Sequence, residues 1–429
     1  MNAAVLRPLR RSRRICSTGS RTSAWMPVRY TAPLSSRYLS SRFMARPARL
    51  RKPRRANPRE GERAAGGCDK RASDQLYFYG YLMQSIQLVA PRTLEPRAMP
   101  MPADPGPGEI LVRVREVGIC GSDMHWYLEG SIGWSEGAYP QVLGHEPAGE
   151  VAAVGEGVTG FAAGDRVSLE PSIACGHCEF CLSGRHNNCD SSVFMGSPQM
   201  PGFFREYALA PARNAVHVPP GMSFTQAALI EPLAVLMHVL ELAPIRLGET
   251  VAVMGAGPIG LISTAVARSA GASKVFTADR IPHRLALARE MGATCVVNTQ
   301  SESIVDAILD STRGRGVDLV IDAAGALETV NAGIRATRSG GRLVLIGIPS
   351  VKDFSIDIHS AMAKELSLQT IKRSNHTSHQ ALALMNSGAG YEHWERIVTH
   401  RFPLEQTPAA FETLAAYADG IGKAIIRIP

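Results

Sequence analysis

The sequence predicts an α/β protein with two domains, a small β-barrel followed by a parallel sheet covered by helices on both faces. The first observation is a series of short β-like runs, broken by Gly and Pro, between residues 83 and 220. The second is a regular strand–helix–strand alternation that begins near residue 249. A chain of 429 residues is long enough for both domains. No apolar run approaches the ~18 residues that span a bilayer.

The first 82 residues differ in composition from the rest of the chain. They hold 19 Lys/Arg and four Asp/Glu, whereas the remainder holds 27 basic and 34 acidic residues and gives no reason to expect nucleic-acid binding. An Arg-, Ser- and Pro-rich segment with no acidic residue before Glu60 is typical of a mitochondrial presequence. Translation from a start codon upstream of Met83 also accounts for it. On either interpretation, residues 1–82 are predicted to be a disordered basic extension.

Four runs carry the β-like pattern of the first domain, namely GEILVRVREVGIC, EVAAVGEGV, GDRVSLEPS and FFREYALAPARNAVHVP. Strands this short and this closely spaced indicate a small barrel or sandwich. Helical periodicity then takes over in SFTQAALIEPLAVLMHVLELA, for which Ser223 is the predicted N-cap.

The second domain is predicted from strands that alternate with helices. The strands are ETVAVMGAG, SKVFTAD, CVVN, VDLVIDAAG and RLVLIGIP, and the first of them leads into a helix that begins at Pro258. PHRLALAREMG, SIVDAILDS and LETVNAGIRATRSGG supply further helices. This order predicts a parallel sheet with helices on both faces, in which Cys295 is a buried strand residue.

A dinucleotide-binding loop is predicted in VAVMGAGPIGLI. Gly255, Gly257 and Gly260 have the G-x-G-x-x-G spacing, and they follow an apolar strand and open a helix, which makes the motif informative. A pyrophosphate would lie at the positive helix N-terminus, beside Pro258 and Ile259.

The next strand ends in Asp279, 24 residues after Gly255. A carboxylate there binds ribose hydroxyls and repels a 2′-phosphate, so the sequence favours NAD over NADP. Arg280 follows directly and softens that preference.

Three short motifs before this loop carry residues that bind metals. They are GICGSDMHW with Cys120, GHEPAGE with His145 and Glu146, and LIEPLAV with Glu231. Each motif alone is weak, because a lone Cys is usually a small core residue and a lone Glu usually lies on a solvated face. Glu231 lies in an otherwise apolar helix, where an unpaired carboxylate is costly and a metal would explain it. Three protein ligands with one open position describe a catalytic zinc site.

The segment CGHCEFCLSGRHNNC predicts a second, structural zinc site. Its four cysteines, Cys175, Cys178, Cys181 and Cys189, would fill the tetrahedral coordination of zinc and leave no position for a substrate. Disulfide bonds are the alternative, but neighbouring C-x2-C thiols pair poorly with each other in so short a loop. Two other cysteines, at positions 16 and 68, lie in the basic extension.

From Met83 to its end, the chain resembles the zinc-dependent medium-chain dehydrogenases, and most of all their sorbitol/L-iditol (polyol) branch. The order of motifs is the same: a zinc-binding Cys, GHE, the four-cysteine lobe, EP and the dinucleotide fingerprint. The segment VTHRFPLEQTPAAFETL near the C-terminus resembles the polyol branch as well. The resemblance implies a GroES-like β-barrel catalytic domain over 83–235 with 374–429, and a Rossmann NAD-binding domain over 236–373.

The resemblance also implies the residues of the catalytic centre. Cys120, His145 and Glu231 would bind the catalytic zinc, and Glu146 would be a neighbouring carboxylate able to exchange onto the metal. Ser122 and His125 match the proton-relay positions of the family. Two further residues have implied roles, Asp123 in orienting the zinc-bound imidazole and Trp126 in lining the substrate pocket or the core.

One departure concerns the substrate. Sorbitol dehydrogenases carry an Arg-Tyr pair in the pocket, and here Arg373 matches the Arg whereas Ser374 replaces the Tyr. The implied activity is NAD- and zinc-dependent oxidation of a secondary alcohol, a polyol or sugar-like molecule, to a ketone. A dehydrogenase of a smaller alcohol or of threonine is the alternative within enzymes, and a non-catalytic NAD-binding protein is the alternative outside them. We expect a homo-oligomer with no nucleic-acid or membrane partner. Its expected location is the cytoplasm, or the mitochondrial matrix if the extension is a presequence.

Overall fold

The computed structural model describes residues 82–387 and 390–429. The prediction for the basic extension therefore lies outside the described residues, except for Leu82, which opens the first strand. Within the described part of the chain, no helix combines the length and the apolar composition that crossing a bilayer requires.

The first domain is built from three sheets. A three-stranded sheet has the order β2-β1-β4, a seven-stranded sheet has the order β10-β6-β5-β3-β18-β17 with β9 also paired to β3, and β7 pairs with β8. The strands are β1 Leu82–Ala90, β2 Thr93–Pro100, β3 Glu109–Gly118, β4 Gln141–Val142, β5 Glu146–Val154, β6 Arg166–Leu169, β7 Ser172–Ile173, β8 Val193–Phe194, β9 Tyr207–Pro211, β10 Ala215–His217, β17 Val398–Pro403 and β18 Lys423–Arg427. The last two strands thus return from the end of the chain to pair with the first domain.

The second domain is a six-stranded parallel sheet of order β13-β12-β11-β14-β15-β16. Its strands are β11 Thr250–Met254, β12 Lys274–Asp279, β13 Cys295–Asn298, β14 Val317–Asp322, β15 Thr337–Leu345 and β16 Ser367–Thr370. The central strand β14 is buried at every residue, because helices cover both faces of a parallel sheet. Cys295 does lie in a strand, but it is half-buried rather than buried, since β13 is an edge strand.

Helices connect the strands and frame both domains. In chain order they are α1 Gly121–Glu129, α2 Glu179–Leu182, α3 Phe224–Ala228, α4 Ile230–Leu242, α5 Pro258–Ser269, α6 Pro282–Glu290, α7 Ile304–Ser311, α8 Leu327–Ala336, α9 Ile358–Ala363, α10 Ser378–Met385, α11 Tyr391–Glu395 and α12 Thr407–Ala415. The predicted start at Pro258 is confirmed. The predicted cap is confirmed too, because Ser223 Oγ accepts the N–H of Gln226.

The single helix expected after Ser223 is interrupted at Leu229, which separates α3 from α4. The start of α4 thereby places Glu231 in a first helical turn, buried among apolar neighbours. One apolar cluster joins this helix to strands of both sheets, including Ala148 of β5 and Val253 of β11. The helix therefore forms part of a core that runs continuously from the barrel to the parallel sheet.

Candidate active site and metal centres

Three predicted residues meet where β3 ends and β5 begins. Cys120 is the N-cap of α1, His145 directly precedes β5, and Glu146 is the first residue of that strand. Their ligand atoms, a thiol sulfur, an imidazole nitrogen and a carboxylate oxygen, all lie within 4.8 Å of one another. His145 and Glu146 are buried and Cys120 is half-buried, so the cluster is largely shielded from solvent.

Asp123 lies against the imidazole of His145. Its Oδ1 atom lies 3.3 Å from His145 Nδ1, and its carboxylate also accepts the backbone N–H groups of Cys120 and Gly144 at 2.9 and 3.2 Å. With Nδ1 directed at Asp123, Nε2 is the nitrogen left to bind a metal. Asp123 therefore lies beside His145 Nδ1, and its role in orienting the imidazole stays a prediction.

The charges around the cluster favour the binding of a cation. Burial alone would lower the pKa of His145, but the neighbouring Asp123 and Cys120 raise it well above its ordinary value. Glu146 Oε1 is buried and has no hydrogen-bond partner among the residues described. A cation bound between these groups would satisfy both features, and the thiolate, imidazole and carboxylate set is one that zinc prefers. The residues present therefore fit a zinc ion.

Sequence reasoning missed Lys423, which pairs with Glu146 in the interior. Both side chains are 1% exposed, and Lys423 Nζ also donates to the carbonyl oxygen of Ile119 at 2.9 Å. The pairing of strands makes this possible: Gly118 lies opposite both Glu146 on β5 and Ile425 on β18. A Cβ atom on Gly118 would collide with the Glu146 carboxylate. The only sequence signal was a charged residue opening the apolar run KAIIRIP.

The four cysteines of the second predicted metal site also lie together. The sulfur atoms of Cys175, Cys178, Cys181 and Cys189 are all within 4.8 Å of one another. All four are free thiols, and the sulfur atoms of Cys175 and Cys181 are 3.9 Å apart, so the disulfide alternative is wrong. Backbone N–H groups of His177 and Cys178 lower the pKa of Cys175 to about 6, which favours its thiolate form, whereas burial raises the pKa of Cys181 to about 12.

The glycine loop has the geometry that close approach of a pyrophosphate requires. Gly255 has φ +94°, which L side chains rarely adopt, and a Cβ atom on Gly260 would collide with the carbonyl oxygen of Gly255. Gly257 caps α5, and among the described residues a Cβ atom there would meet only Arg284 Nη1, at 3.8 Å. The space beside the helix N-terminus is therefore open to a phosphate. Asp279 Oδ2 accepts the N–H of Ala256 at 2.7 Å, which holds the carboxylate at the edge of the loop.

Comparison with known proteins identifies the family. The family model described as alcohol dehydrogenase GroES-like domain matches residues 106–220, and the model described as zinc-binding dehydrogenase matches 258–387. Sorbitol dehydrogenase of Bacillus subtilis (strain 168) is 36% identical over 321 residues, which cover 75% of this chain and 90% of that protein. The chain belongs to the zinc-dependent medium-chain dehydrogenases. The predicted family and the predicted fold class, a GroES-like barrel with a Rossmann domain, are both confirmed.

Two further relatives bear on substrate and cofactor. L-threonine 3-dehydrogenase of Yersinia pestis (strain Pestoides F) is 36% identical over 319 residues, covering 73% of this chain and 91% of that protein. A putative zinc-binding dehydrogenase from Sinorhizobium meliloti 1021, solved bound to NADP, is 31% identical with a TM-score of 0.73 and covers 81% of this chain and 99% of its own. This chain is thus a zinc-containing oxidoreductase that uses a nicotinamide dinucleotide, as predicted.

In this dehydrogenase Glu231 stands beside the three clustered residues rather than among them. It does not belong to any group of described residues whose ligand atoms lie within 4.8 Å of one another. Burial raises the pKa of Glu231 to about 8, with the charge of His145 opposing the rise and that of Glu146 adding to it. The predicted role of Glu231 as a metal ligand stays a prediction.

The two relay candidates lie on α1, close to the cluster. Ser122 Oγ is 3.3 Å from His145 Nε2, and His125 Nδ1 is 3.0 Å from Glu129 Oε2, with the imidazole 21% exposed. Trp126, on the same helix, is 3% exposed and packs in the hydrophobic core of the barrel. The structure thus places it where the core interpretation put it.

Arg373 and Ser374 lie in the segment after β16. The guanidinium carbon of Arg373 lies 4.2 Å from the centroid of the Phe194 ring, and its Nη1 is buried without a hydrogen-bond partner in the described chain. Burial lowers the pKa of Arg373, and the charge of Glu231 opposes that change. Ser374 is buried and approaches Glu170 Oε1 at 3.4 Å. Sequence reasoning missed Glu170, which also accepts from the backbone and the imidazole of His376.

Proposed function

We propose that this chain oxidises a secondary hydroxyl group of a polyol or sugar-like diol to a ketone and transfers the hydride to NAD. The observation that carries the proposal is the group Cys120, His145 and Glu146, whose ligand atoms lie within 4.8 Å of one another in a chain with a complete dinucleotide loop. The sorbitol dehydrogenase relationship supports the substrate class.

Cys120, His145 and Glu146 are the residues proposed to hold the catalytic zinc, with Glu231 as a further carboxylate on the same side. Zinc bound there would act as a Lewis acid and lower the pKa of the substrate hydroxyl group. Asp123 keeps the imidazole of His145 in one orientation and one tautomer. The Lys423 ammonium pairs with Glu146 and offsets the charge of that carboxylate.

Ser122 and His125 are the groups proposed to move the hydroxyl proton. Ser122 Oγ lies 3.3 Å from His145 Nε2, where its hydroxyl group can accept the substrate proton as it passes on its own proton, and the imidazole of His125, which is 21% exposed, can release a proton to solvent. Glu129 Oε2, 3.0 Å from His125 Nδ1, holds that ring in place. Hydride acceptance is the chemistry of the cofactor, which Gly255, Gly257, Pro258, Ile259 and Gly260 would bind through the pyrophosphate.

A substrate with several hydroxyl groups suits this site better than a simple alcohol. Arg373 Nη1 is a buried donor without a partner among the described residues, and Glu231 is a buried carboxyl group whose charge raises the pKa of Arg373 against the effect of burial. Hydroxyl groups next to the reacting carbon can pair with both, whereas an aliphatic alcohol would leave them unpaired.

We also propose that Cys175, Cys178, Cys181 and Cys189 bind a structural zinc, and that the enzyme is a homo-oligomer. The edge strand β16 leaves Leu368 38% exposed, and neighbouring α9 leaves Met362 72% exposed, so this edge suits pairing with a second copy.

The proposed domain limits are those expected from the sequence, 83–235 with 374–429 and 236–373. A cytoplasmic location is proposed, or the mitochondrial matrix if residues 1–82 are a presequence.

The proposed function is tested by following NAD reduction over a panel of polyols, sugar acids and simple alcohols, with identification of the ketone formed. We expect polyols to be oxidised, and C120S to lose activity and one of two zinc ions per chain while it still binds NADH. C295S is the matched control, since Cys295 lies on an edge strand of the other domain. An active C120S enzyme, or oxidation of simple alcohols alone, would contradict the proposal.

Threonine is a second candidate substrate, because the Yersinia pestis relative is as similar to this chain as the sorbitol dehydrogenase is. A threonine arm in the same panel decides between them. If threonine is oxidised and polyols are not, the polyol assignment is wrong while the dehydrogenase chemistry stands.

A further inference from the structure

Hydrogen bonds join the four-cysteine lobe to the part of the chain that carries Arg373. Residues 371–377, named here the connecting segment, link β16 to α10 and form neither helix nor strand. Asn187, in a short 3₁₀ helix of the lobe, donates from Nδ2 to the carbonyl oxygen of Lys372 at 3.0 Å. The backbone N–H of Asn187 donates to Asn375 Oδ1 at 3.4 Å, and Asn375 Nδ2 donates to a backbone carbonyl oxygen of the lobe at 2.8 Å. The lobe therefore holds the connecting segment on both sides of Arg373.

The side-chain amide of Asn187 is buried and uses both of its hydrogens. The residue is 5% exposed, and its Nδ2 lies 3.3 Å from Nε2 of His238 on α4 as well as 3.0 Å from the Lys372 carbonyl oxygen. His238 Nδ1 lies 3.0 Å from Glu241 Oε2, so in the neutral imidazole the proton belongs on Nδ1, and Nε2 accepts from Asn187. One hydrogen of the amide is thus donated to helix α4 and the other to the connecting segment.

Arg373 has a backbone conformation that needs support from its surroundings. Its φ is +60° and that of His376 is +56°, in the left-handed region that residues other than glycine adopt only where neighbouring structure holds them. The His376 end is held separately, because its backbone N–H donates to Glu170 Oε1 at 3.1 Å. Asn187 acts on the other side, at the peptide group that joins Lys372 to Arg373. Holding that peptide group constrains the direction in which the Arg373 side chain leaves the backbone.

The guanidinium group of Arg373 lies one aromatic ring away from a candidate metal ligand. Its central carbon is 4.2 Å from the centroid of the Phe194 ring, and that centroid is 5.2 Å from the centroid of the His145 ring. Arg373 Nη1 is buried and has no hydrogen-bond partner among the residues that the structure describes. A buried donor without a partner at this place suits a hydroxyl group next to the reacting carbon of a substrate.

We propose that Asn187 is a positioning residue that sets the preference of this enzyme for substrates with several hydroxyl groups. Its side-chain amide fixes the peptide group before Arg373, and through it the guanidinium group that pairs with the additional hydroxyl groups of a polyol. The four-cysteine lobe then has a role in substrate choice besides its proposed zinc. The inference rests on the proposed function, because it concerns the same substrate site.

Steady-state kinetics of the full chain with sorbitol and with xylitol test the inference. N187D keeps the size of the side chain but replaces the NH2 donor by a carboxylate oxygen, which repels the Lys372 carbonyl group. We expect N187D to raise KM for both polyols at least about tenfold, while kcat and KM for NAD change less than about threefold. R373Q should show the same pattern, and the double variant N187D/R373Q should lose little more than either single variant. N188D, at the exposed neighbouring residue, is the matched control and should change none of these constants.

Hydrogen exchange followed by mass spectrometry gives a readout that needs no substrate. Exchange in the connecting segment should be faster in N187D than in N188D, because the segment opens more readily without the amide donor. The zinc content of N187D should equal that of the unmodified chain, since all four thiolates of the lobe remain. If N187D does not fold, N187A removes the same donors without adding a charge and should give the same kinetic pattern.

Three results would overturn the inference and leave the proposed function intact. They are an unchanged KM for both polyols in N187D and N187A, equal exchange of the connecting segment in N187D and N188D, and a loss in which kcat and KM for NAD change as much as KM for the polyols. The last result would mean that Asn187 supports the fold in general. An unmodified chain that oxidises neither polyol would instead overturn the proposed function, and with it the role of Asn187 in substrate choice.

Discussion

The ammonium group of Lys423 and the carboxylate of Glu146 form an ion pair that is almost completely buried. Burial disfavours a charged lysine, but Glu146 and Cys120 outweigh that effect and raise the pKa of Lys423 above its ordinary value. The pair joins the last strand of the chain to β5, which begins at the candidate metal ligand Glu146, directly after His145. It thereby couples the C-terminus to the geometry of the catalytic centre.

Replacing Lys423 by Met should destabilise the protein by about 3–5 kcal/mol, because Glu146 would keep a buried charge without its counter-ion. The free energy of unfolding from urea denaturation measures the effect, and the zinc content reports the state of the cluster. K352M, at an exposed lysine, is the control and should change stability by less than about 0.5 kcal/mol. Equal stability of K423M and the unmodified chain would show that the ion pair contributes nothing.

The part of the site that the sequence predicted consists of residues in short local motifs. The glycine loop, the four-cysteine lobe and the pair Cys120 and His145 were found because a few neighbouring residues carry each signal. Lys423 was missed since it lies in the last strand, and only the pairing of β18 with β3 brings it to Glu146. The break at Leu229 was missed because apolar periodicity runs through it without a Gly signal.

The relative roles of Glu146 and Glu231 can be separated by zinc content. The sequence favoured Glu231 as the third ligand, whereas the ligand atoms of Glu146 lie within 4.8 Å of those of Cys120 and His145. We therefore expect E146Q to lose the catalytic zinc and E231Q to retain it with reduced activity, since an amide binds zinc more weakly than a carboxylate. Metal analysis of both variants checks this. Loss of zinc in E231Q with retention in E146Q would restore the assignment from the sequence.

The four-cysteine lobe should depend on its metal for stability. C178S removes one of four thiolates and should lower the melting temperature and release one zinc ion per chain, while the catalytic zinc remains. S183A, at the exposed end of the adjoining helix α2, is the control for a change in the same loop. Differential scanning calorimetry with metal analysis measures both effects. Unchanged melting and zinc content in C178S would rule out the structural zinc.

The contact between His376 and Glu170 links stability to pH. His376 Nδ1 lies 3.2 Å from Glu170 Oε2, and this bond raises the pKa of His376 above its ordinary 6.5 despite burial and the charge of Arg213. Between pH 6.5 and the native pKa, the folded chain holds a proton on His376 that the unfolded chain has lost. The contribution of this bond to the free energy of unfolding is therefore complete below pH 6.5 and disappears as the pH rises through the native pKa of His376.

We expect H376N to remove this part of the dependence of stability on pH. The difference in melting temperature between the unmodified chain and H376N should be largest at about pH 6 and shrink toward about pH 9, because only the protonated imidazole forms a charged bond to Glu170. H379N, three residues along and exposed, is the matched control and should run parallel to the unmodified chain. Parallel curves for H376N as well would mean that the bond to Glu170 does not depend on protonation of His376.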